Sequence, residues 1–442
     1  MRADPSSIQV QYDAGRVSLT GAIEQDVVIT TQRMLHQLME TATPRAVDLI
    51  SIATGTYAID RVILRTDNDH QNECGLRTLR IKFEVWDHAF WSQAAVKELL
   101  TDVLWHLTGD TWLLSFSQRP HPYQTTTHQG LLQLGEPHPT RVALYSGGLD
   151  SAAGLANRLI DDNDTFMLLT VGHQSSIRSN SIEQVGLLSR ILNTTAPHHA
   201  SFMVKLIGGV AGNMKYQEKS QRARGFLFYA TAATLADACG VDNIEVFENG
   251  VGAINLPLCE GGLVDGLSTR GAQPGILKKI SQLVGLALDR AVCLSLPFLH
   301  STKAEMLAPL KGKRLMIDWL TRSRSCIHSS LRISGKRHCG HCAACIERRQ
   351  AFHAAGIVDD PRDYVVDLFN SGMPKELDYL LTYLENARAW AAHHPSVRSR
   401  LERHRILSNM THLPLSSMED LMMRHALETL NTYGHFEVRE AA

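Results

Sequence analysis

Residues 142–153 read VALYSGGLDSAA, and the fold turns on how this stretch is parsed. Val142 to Ser146 suits a buried strand, being apolar and uncharged. It runs directly into Gly147 and Gly148, which lack Cβ atoms and so let backbone N–H groups converge on an anion. A helix beginning near Ser151 adds free N–H groups and the positive end of its dipole. Ser146 and Ser151 supply hydroxyl donors, and Asp150 can hold a magnesium ion against phosphate oxygens. Ser146, Gly147, Gly148, Leu149, Asp150 and Ser151 therefore read as a polyphosphate cradle. A Walker A loop is excluded, because no lysine follows the glycines. The plainer alternative is a Gly-Gly turn capped by Asp150 or Ser151; the apolar strand before it and the small-residue helix after it favour the cradle.

Outward from this turn, strands are expected at FMLLTVG, SFMVKLIG and NIEVFENG, with helices near 151–159, 182–192 and 225–239. Such alternation implies an α/β fold, a parallel sheet with helices on both faces, and ligands of such sheets bind at the carboxyl ends of the strands. Before it, SIQVQY, RVSLTG, DVVITT and LRTLRIKFEVW read as strands around a helix at 47–63, an α+β module over 1–138. The stretches QRPHPYQTTTHQG and GEPHPT look like a linker. The α/β domain is placed at 139–325, a metal-binding segment at 326–364, and a helical C-terminal extension at 365–442, with PKELDYLLTYLENARAWAA and SVRSRLERHRILSNM as its helices.

The 442 residues suffice for two or three domains, and at 44% hydrophobic and 20% charged the composition is that of an ordinary globular protein. No apolar run is long enough to span a bilayer, and MRADPSSIQV lacks the pattern of a secretory signal, so a cytoplasmic location and no membrane partner are expected. A net charge of −1 argues against nucleic acid as a partner over the whole surface. The run Arg398, Arg400, Arg403 and Arg405 is expected to form one solvated helix face.

Of eight cysteines, Cys326, Cys339, Cys342 and Cys345 fall within twenty residues. Four thiolates in Cys-x12-Cys-x2-Cys-x2-Cys suit tetrahedral Zn²⁺ with no open position, hence a structural site. Paired disulfides or a redox Cys-x-x-Cys are the alternatives. The crowd of Arg322, Arg324, Arg332, Lys336 and Arg337 reads as a solvated face or as contacts to phosphate or an acidic partner.

Ser-Gly-Gly-Leu-Asp-Ser resembles the signature of the PP-loop ATP pyrophosphatases, which implies ATP held by its β- and γ-phosphates and attack on the α-phosphate. The stretch CGHCAACIERRQAFHAAGIVDDPRDY resembles the zinc segment of the QueC family, the 7-cyano-7-deazaguanine synthases, with Arg348 and Arg349, Phe352, Gly356, Asp359 and Tyr364 in matching places. RARGFLFYATAATLA and FLHSTKAEM echo two further family stretches through Arg224 and through Thr302, Lys303 and Glu305. The resemblance covers residues 141–364. It implies ATP, Mg²⁺ and Zn²⁺ and a small-molecule substrate: adenylation of the carboxylate of 7-carboxy-7-deazaguanine, then attack by a nitrogen nucleophile. Asp150, Arg224 and Lys303 are the catalytic candidates it points to.

The chain departs from the family at Gly172-His173-Gln174, at Gly225 and at Leu256-Pro257-Leu258-Cys259-Glu260, and it carries both extensions. The cradle is intact while the lining has changed. With its extensions the chain resembles the QatC-type branch of anti-phage defence operons, which implies a protein partner and transfer to an amine. His173 beside the nucleotide and Cys259 as a nucleophile are weaker expectations. A nitrile-forming synthase using ammonia and a nucleotide-binding scaffold are the competing readings; an RNA-modifying PP-loop enzyme lacks a broad basic surface to support it.

Overall fold

A computed structural model describes residues 8–13, 16–30, 42–65, 76–123, 137–161, 164–172, 175–192, 197–207, 217–218, 220–258, 270–328, 335–369, 378–409 and 413–436. In chain order the elements are β1 (Ile8–Asp13), β2 (Arg16–Gly21), β3 (Gln25–Thr30), α1 (Pro44–Val62), β4 (Thr78–Val85), α2 (His88–Trp91), α3 (Ala94–Thr108) and β5 (Thr111–Gln118). Then follow β6 (Arg141–Leu144), α4 (Leu149–Asp161), β7 (Phe166–Gly172), α5 (Ser175–Leu192), β8 (His198–Ile207), α6 (Arg224–Ala238), β9 (Asn243–Val246), α7 (Gly250–Ile254), α8 (Pro274–Leu288) and β10 (Cys293–Ser295). The chain continues with α9 (Lys303–Leu307), α10 (Arg314–Thr321), α11 (Ala343–Ala354), α12 (Asp378–Ala391), α13 (Pro395–Ser408) and α14 (Leu415–Tyr433).

Among the described residues ten strands form one sheet in the order β10-β9-β6-β7-β8-β3-β2-β1-β4-β5. The strands from β10 to β8 are parallel, as the alternation of apolar strands and helices predicts. Alternate residues of β6 and β7 serve opposite faces: Val142, Met167 and Leu169 join one core, whereas Ala143 and Leu168 join another. The first core holds α1, α3, α6 and α8, and the second α4, α9 and α10 with the end of α11.

The N-terminal strands extend this same sheet. β3 pairs antiparallel with β8, Val27 opposite Leu206, and the Gln25 side chain donates to Ile207 O at 2.8 Å. Helix α1 is buried almost all round because it lies between this half of the sheet and α6 and α8. It approaches the sheet so closely at Gly55 that a Cβ there would stand 2.6 Å from Val10. Its Asp60 shares Arg65 and Arg77 with Asp110, all four buried or nearly so, and also accepts the N–H of Ala223, the cap of α6. Each charge in that network has an opposite partner, which burial requires.

The elements expected from the sequence are observed, with differences in extent and with further elements beside them. Helix α5 begins at Ser175, seven residues before the expected start. The sequence reading does not name α3 and β5 over residues 94–118, α8, β10, α10 or α14. Residues 124–136 of the expected linker lie outside the described residues. The arginine run does not form one solvated face: Arg398 pairs with Glu419 at 2.9 Å, whereas Arg400 is buried and donates to Pro257 O at 2.8 Å. Residues two apart point to opposite sides of a helix, and α13 is packed on the side Arg400 faces. Among the described residues no helix is long and apolar enough to cross a membrane.

Asp48 in α1 is fully buried, where its carboxylate accepts from Trp86 N, Asp87 N and Trp91 Nε1. Burial pushes its carboxyl up to about 6 despite those donors. An acid raised on folding stabilises the native state below its unfolded value and loses that contribution as pH rises through the folded one. Between about pH 4 and 6 the melting temperature of the wild type should therefore fall relative to that of Asp48→Asn, read by thermal denaturation across that window.

Candidate active site

The sheet order reverses at β6, whose neighbours β7 and β9 carry the chain away on opposite sides. A crevice at the carboxyl ends of the strands is expected at such a switch point. The loop after β6 is the glycine turn. Gly147 has φ +73, and a Cβ there would stand 2.4 Å from Asn180 Nδ2, so only glycine fits. Asn180 of α5 donates to Gly147 O at 3.0 Å. Ser146 Oγ lies 3.2 Å from both Gly148 N and Ser151 Oγ, and the Ser151 hydroxyl donates to Gly148 O. From across the crevice Arg324 N donates to Gly147 O at 2.9 Å, and Ser325 Oγ accepts from Leu149 N at 3.3 Å. The N–H groups of Gly148 and Leu149 are thus engaged only by long bonds to hydroxyls, which phosphate oxygens could replace.

Asp150, in the first turn of α4, faces Lys303 at the start of α9. Lys303 Nζ lies 3.1 Å from Asp150 Oδ2 and 2.8 Å from Glu347 Oε2 of α11. Asn249, in the loop after β9, donates to the other Asp150 oxygen at 2.8 Å, with Glu248 beside it. The side chains of Lys303, Asp150 and Glu347 keep 14, 19 and 28% of their exposure, so a ligand in the crevice can touch them. Thr302 caps α9 in a reciprocal box with Glu305, which fixes where Lys303 begins. Tyr383 of α12 donates to the other Glu347 oxygen at 2.6 Å.

The electrostatics follow from crowding one ammonium among three carboxylates. Burial, then the nearby Asp150 carboxylate, pushes Glu248 up to about 8 against the pull of Lys303. Burial acts the same way on Glu347, but Lys303 and the Tyr383 hydroxyl outweigh it and hold the group at about 2. The three acids in turn keep Lys303 firmly protonated although burial opposes this. Asp150 and Glu248 offer hard carboxylate oxygens side by side, a donor type that suits a magnesium ion.

Cys326, Cys339, Cys342 and Cys345 converge with all sulfurs within 4.8 Å of one another. Thiolates about 2.3 Å from a tetrahedral ion stand roughly 3.8 Å apart, and Cys339 Sγ to Cys345 Sγ is 3.8 Å. All four are free thiols, and backbone N–H groups of Cys339 and Cys342 point at sulfurs of the set. The four could hold a metal such as zinc, with no coordination position open.

The family-like residues after the cysteines form one buried network. Arg348 donates to Tyr364 Oη, to the carbonyls of Thr321 and Ser323, to Ser323 Oγ and to Asp359, and lies over the Phe352 ring. Its targets immediately precede Arg324 and Ser325, the residues that touch the glycine turn. Arg337 and Arg324 bind backbone carbonyls of Arg322 and His328 in the same segment, so these cations brace the fold. Arg332 lies outside the described residues, as do His173 and Cys259.

Ser146, Gly147, Gly148, Leu149, Asp150, Ser151 and Lys303 are brought together. At the first residue of α6, Arg224 bonds Gln221 at 3.1 Å and lies over Phe228, with Tyr57 and Arg61 of α1 nearby. Gly225 beside it faces Gly271, whose Cα would stand 3.2 Å from an added Cβ. The sequence reading does not single out Glu248, Asn249, Glu347 or Tyr383. Glu248-Asn249 directly follows a strand at its carboxyl end, a signal that could have found them; nothing local marks Tyr383.

Purified protein should carry about one zinc per chain, and Cys342→Ser should lose it, read by elemental analysis. Because Ser325 adjoins Cys326, the same variant should open residues 322–345 to limited proteolysis under conditions where the wild type resists.

A family model described as QueC, queuosine biosynthesis protein QueC, matches residues 140–356. A 7-cyano-7-deazaguanine synthase of Rhizobium rhizogenes is 27% identical over 237 residues, which cover 50% of this chain and 91% of the relative. One of Nitrosococcus oceani is 29% identical over 239 residues, covering 51% and 98%. One of Brucella ovis reaches 37% over 94 residues, covering 21% and 37%. The match therefore stops short of β1–β5 at one end and of α12–α14 at the other. Through residues 140–356 this chain is a QueC-like family member.

Proposed function

We propose that the protein is an ATP-dependent carbon–nitrogen ligase that adenylates the carboxylate of a 7-deazaguanine and passes it to a nitrogen nucleophile. The observation that carries the reading is Lys303 held between Asp150 and Glu347 beside an intact glycine cradle. In this reading the N–H groups of Gly148 and Leu149 and the hydroxyls of Ser146 and Ser151 bind the β- and γ-phosphates. A substrate carboxylate oxygen attacks the α-phosphorus, the bond to pyrophosphate breaks, and the cradle stabilises the charge that leaves. The nitrogen then attacks the acyl carbon, AMP departs, and the nitrogen loses a proton. Lys303 offsets negative charge at the α-phosphate as it develops. A magnesium ion, held by Asp150 with Glu248, would neutralise phosphate charge.

We take the nitrogen to be an amine of a protein partner, as in the anti-phage branch that the extensions resemble. Support comes from the C-terminal helices, which lie beyond the matched residues yet reach the site: Tyr383 bonds Glu347, Thr302 donates to Glu428 at 2.6 Å, and Arg424 pairs with Glu305. An added wall of this kind suits an acceptor other than ammonia.

Incubation with ATP and 7-carboxy-7-deazaguanine should release AMP and pyrophosphate in a carboxylate-dependent way, with the base followed by mass spectrometry. An amide on an added amine supports transfer, free nitrile with ammonia alone would replace this reading with the synthase one, and ATP binding without turnover would favour the scaffold. Lys303→Met should lower kcat/KM by about 10²- to 10³-fold, as loss of a transition-state charge partner does. Tyr383→Phe removes one hydrogen bond to a carboxylate and should lower kcat roughly fivefold with KM for ATP unchanged.

A further inference from the structure

The sheet ends in two edges of unequal length. β10 has three residues, too short to template another strand, whereas β5 has eight and, among the described residues, pairs only with β4. The β5 sequence TWLLSFSQ holds no charge and no proline, so it lacks the usual devices that blunt an edge. Thr111 N and Arg119 N bond Arg77 O and Val85 O, which turns the odd-numbered amides of this parallel pair toward β4. The N–H and C=O groups of Trp112, Leu114, Phe116 and Gln118 consequently point outward, where no described strand meets them.

On one face of that edge lies a groove against α3, a cavity of about 620 Å³ lined by Lys97, Glu98, Thr101, Asp102, Trp105 and Trp112. Trp105 is 42% exposed there. On the other face Leu113 is 40% exposed, beside Arg80 and Lys82 of β4 in register with Leu113 and Ser115. Both cations are exposed and neither has an ion-pair or hydrogen-bond partner among the described residues. Ser115 turns its hydroxyl back to Ile81 O at 3.3 Å, which leaves Lys82 a clear path across β5. With strands about 4.8 Å apart, side chains of this length reach a strand added beyond β5.

We propose that this edge and groove accept an extended segment of a partner protein as an eleventh strand. Its outward side chains on the Arg80–Lys82 face are acidic, and an apolar side chain enters the groove against Trp105 and Trp112. The mode is β-augmentation, in which backbone bonds give affinity and the flanking groove gives selectivity. Charge decides against a second copy of this chain: a two-fold pairing of β5 with itself sets two Arg80–Lys82 pairs on one face. The surface lies on residues outside the matched domain and does not depend on the chemistry proposed at Asp150.

The test uses the full chain and two synthetic octapeptides, one alternating Glu with Val and carrying a Trp at one Val position, the other with Lys replacing Glu. Hydrogen exchange resolved to single amides is followed with each peptide at millimolar concentration. The Glu peptide should slow exchange at Trp112, Leu114 and Phe116 by about tenfold or more, and leave Leu113 and Ser115, already bonded to β4, unchanged. The Lys peptide should not, and the double variant Arg80→Glu, Lys82→Glu should invert the preference without touching the edge backbone. No slowing by either peptide, or equal slowing by both, overturns the proposal. Slowing without peptide that grows with protein concentration overturns it in favour of a second copy.

Discussion

One ammonium group holds the site together. Lys303 Nζ meets Asp150 from the helix after β6 and Glu347 from α11, and at Glu347 it outweighs the burial that would neutralise the carboxylate. Without it, Asp150, Glu248 and Glu347 would crowd a partly dry crevice as like charges with no cation between them. The backbone fixes the lysine where it is needed. Gly250 N–H donates to Ser301 O at 2.8 Å, tying the loop after β9 to the residue before the α9 cap, and Thr302 then sets the first turn. Gly250 has to be glycine because a Cβ there would stand 1.9 Å from Leu299 O.

The glycine turn is held from the opposite wall by the cysteine segment. Cys326 anchors one end of the strip 323–326, and Arg348 grips the other through Ser323 and Thr321. Between those anchors Arg324 and Ser325 meet Gly147 and Leu149. Removing one partner from a buried charged network of this sort costs about 3–5 kcal/mol, because it strands the others. A closed four-sulfur site some residues from any reacting atom thus still bears on the cradle, through the position of a serine hydroxyl.

Much of this was legible from residue order. The strand, the two glycines and the helix after them left a phosphate cradle as the favoured reading, and the spacing of Cys339, Cys342 and Cys345 announced a metal set. Lys303 came from a resemblance, and its partner Asp150 from the turn itself. The rest was hidden for physical reasons. Glu347 and Tyr383 meet through tertiary packing of α11 against α12, and neither carries a local pattern that distinguishes it from a surface acid or a core tyrosine. Arg224, like Lys303, came from the resemblance; its described neighbours are Gln221, Phe228, Tyr57 and Arg61. The union of the described strands in one sheet was equally invisible, since β8 looks the same in sequence whether it ends the parallel half or, as here, is joined by β3.

That union limits how the extensions can act. β3 is bonded along β8, the two halves share one core around α1, α6 and α8, and Asp60 reaches from α1 to the cap of α6. A module tethered by a linker could swing; this one moves only with the sheet. The edge at β5 is separated from β6 by the six strands β7, β8, β3, β2, β1 and β4, so it lies about 34 Å away at 4.8 Å per strand. A partner segment paired at β5 would need about ten extended residues to bring an amine to the crevice. Anything bound at that edge is therefore held at a fixed remove from Lys303, and the length of its own chain would set whether it could reach the crevice.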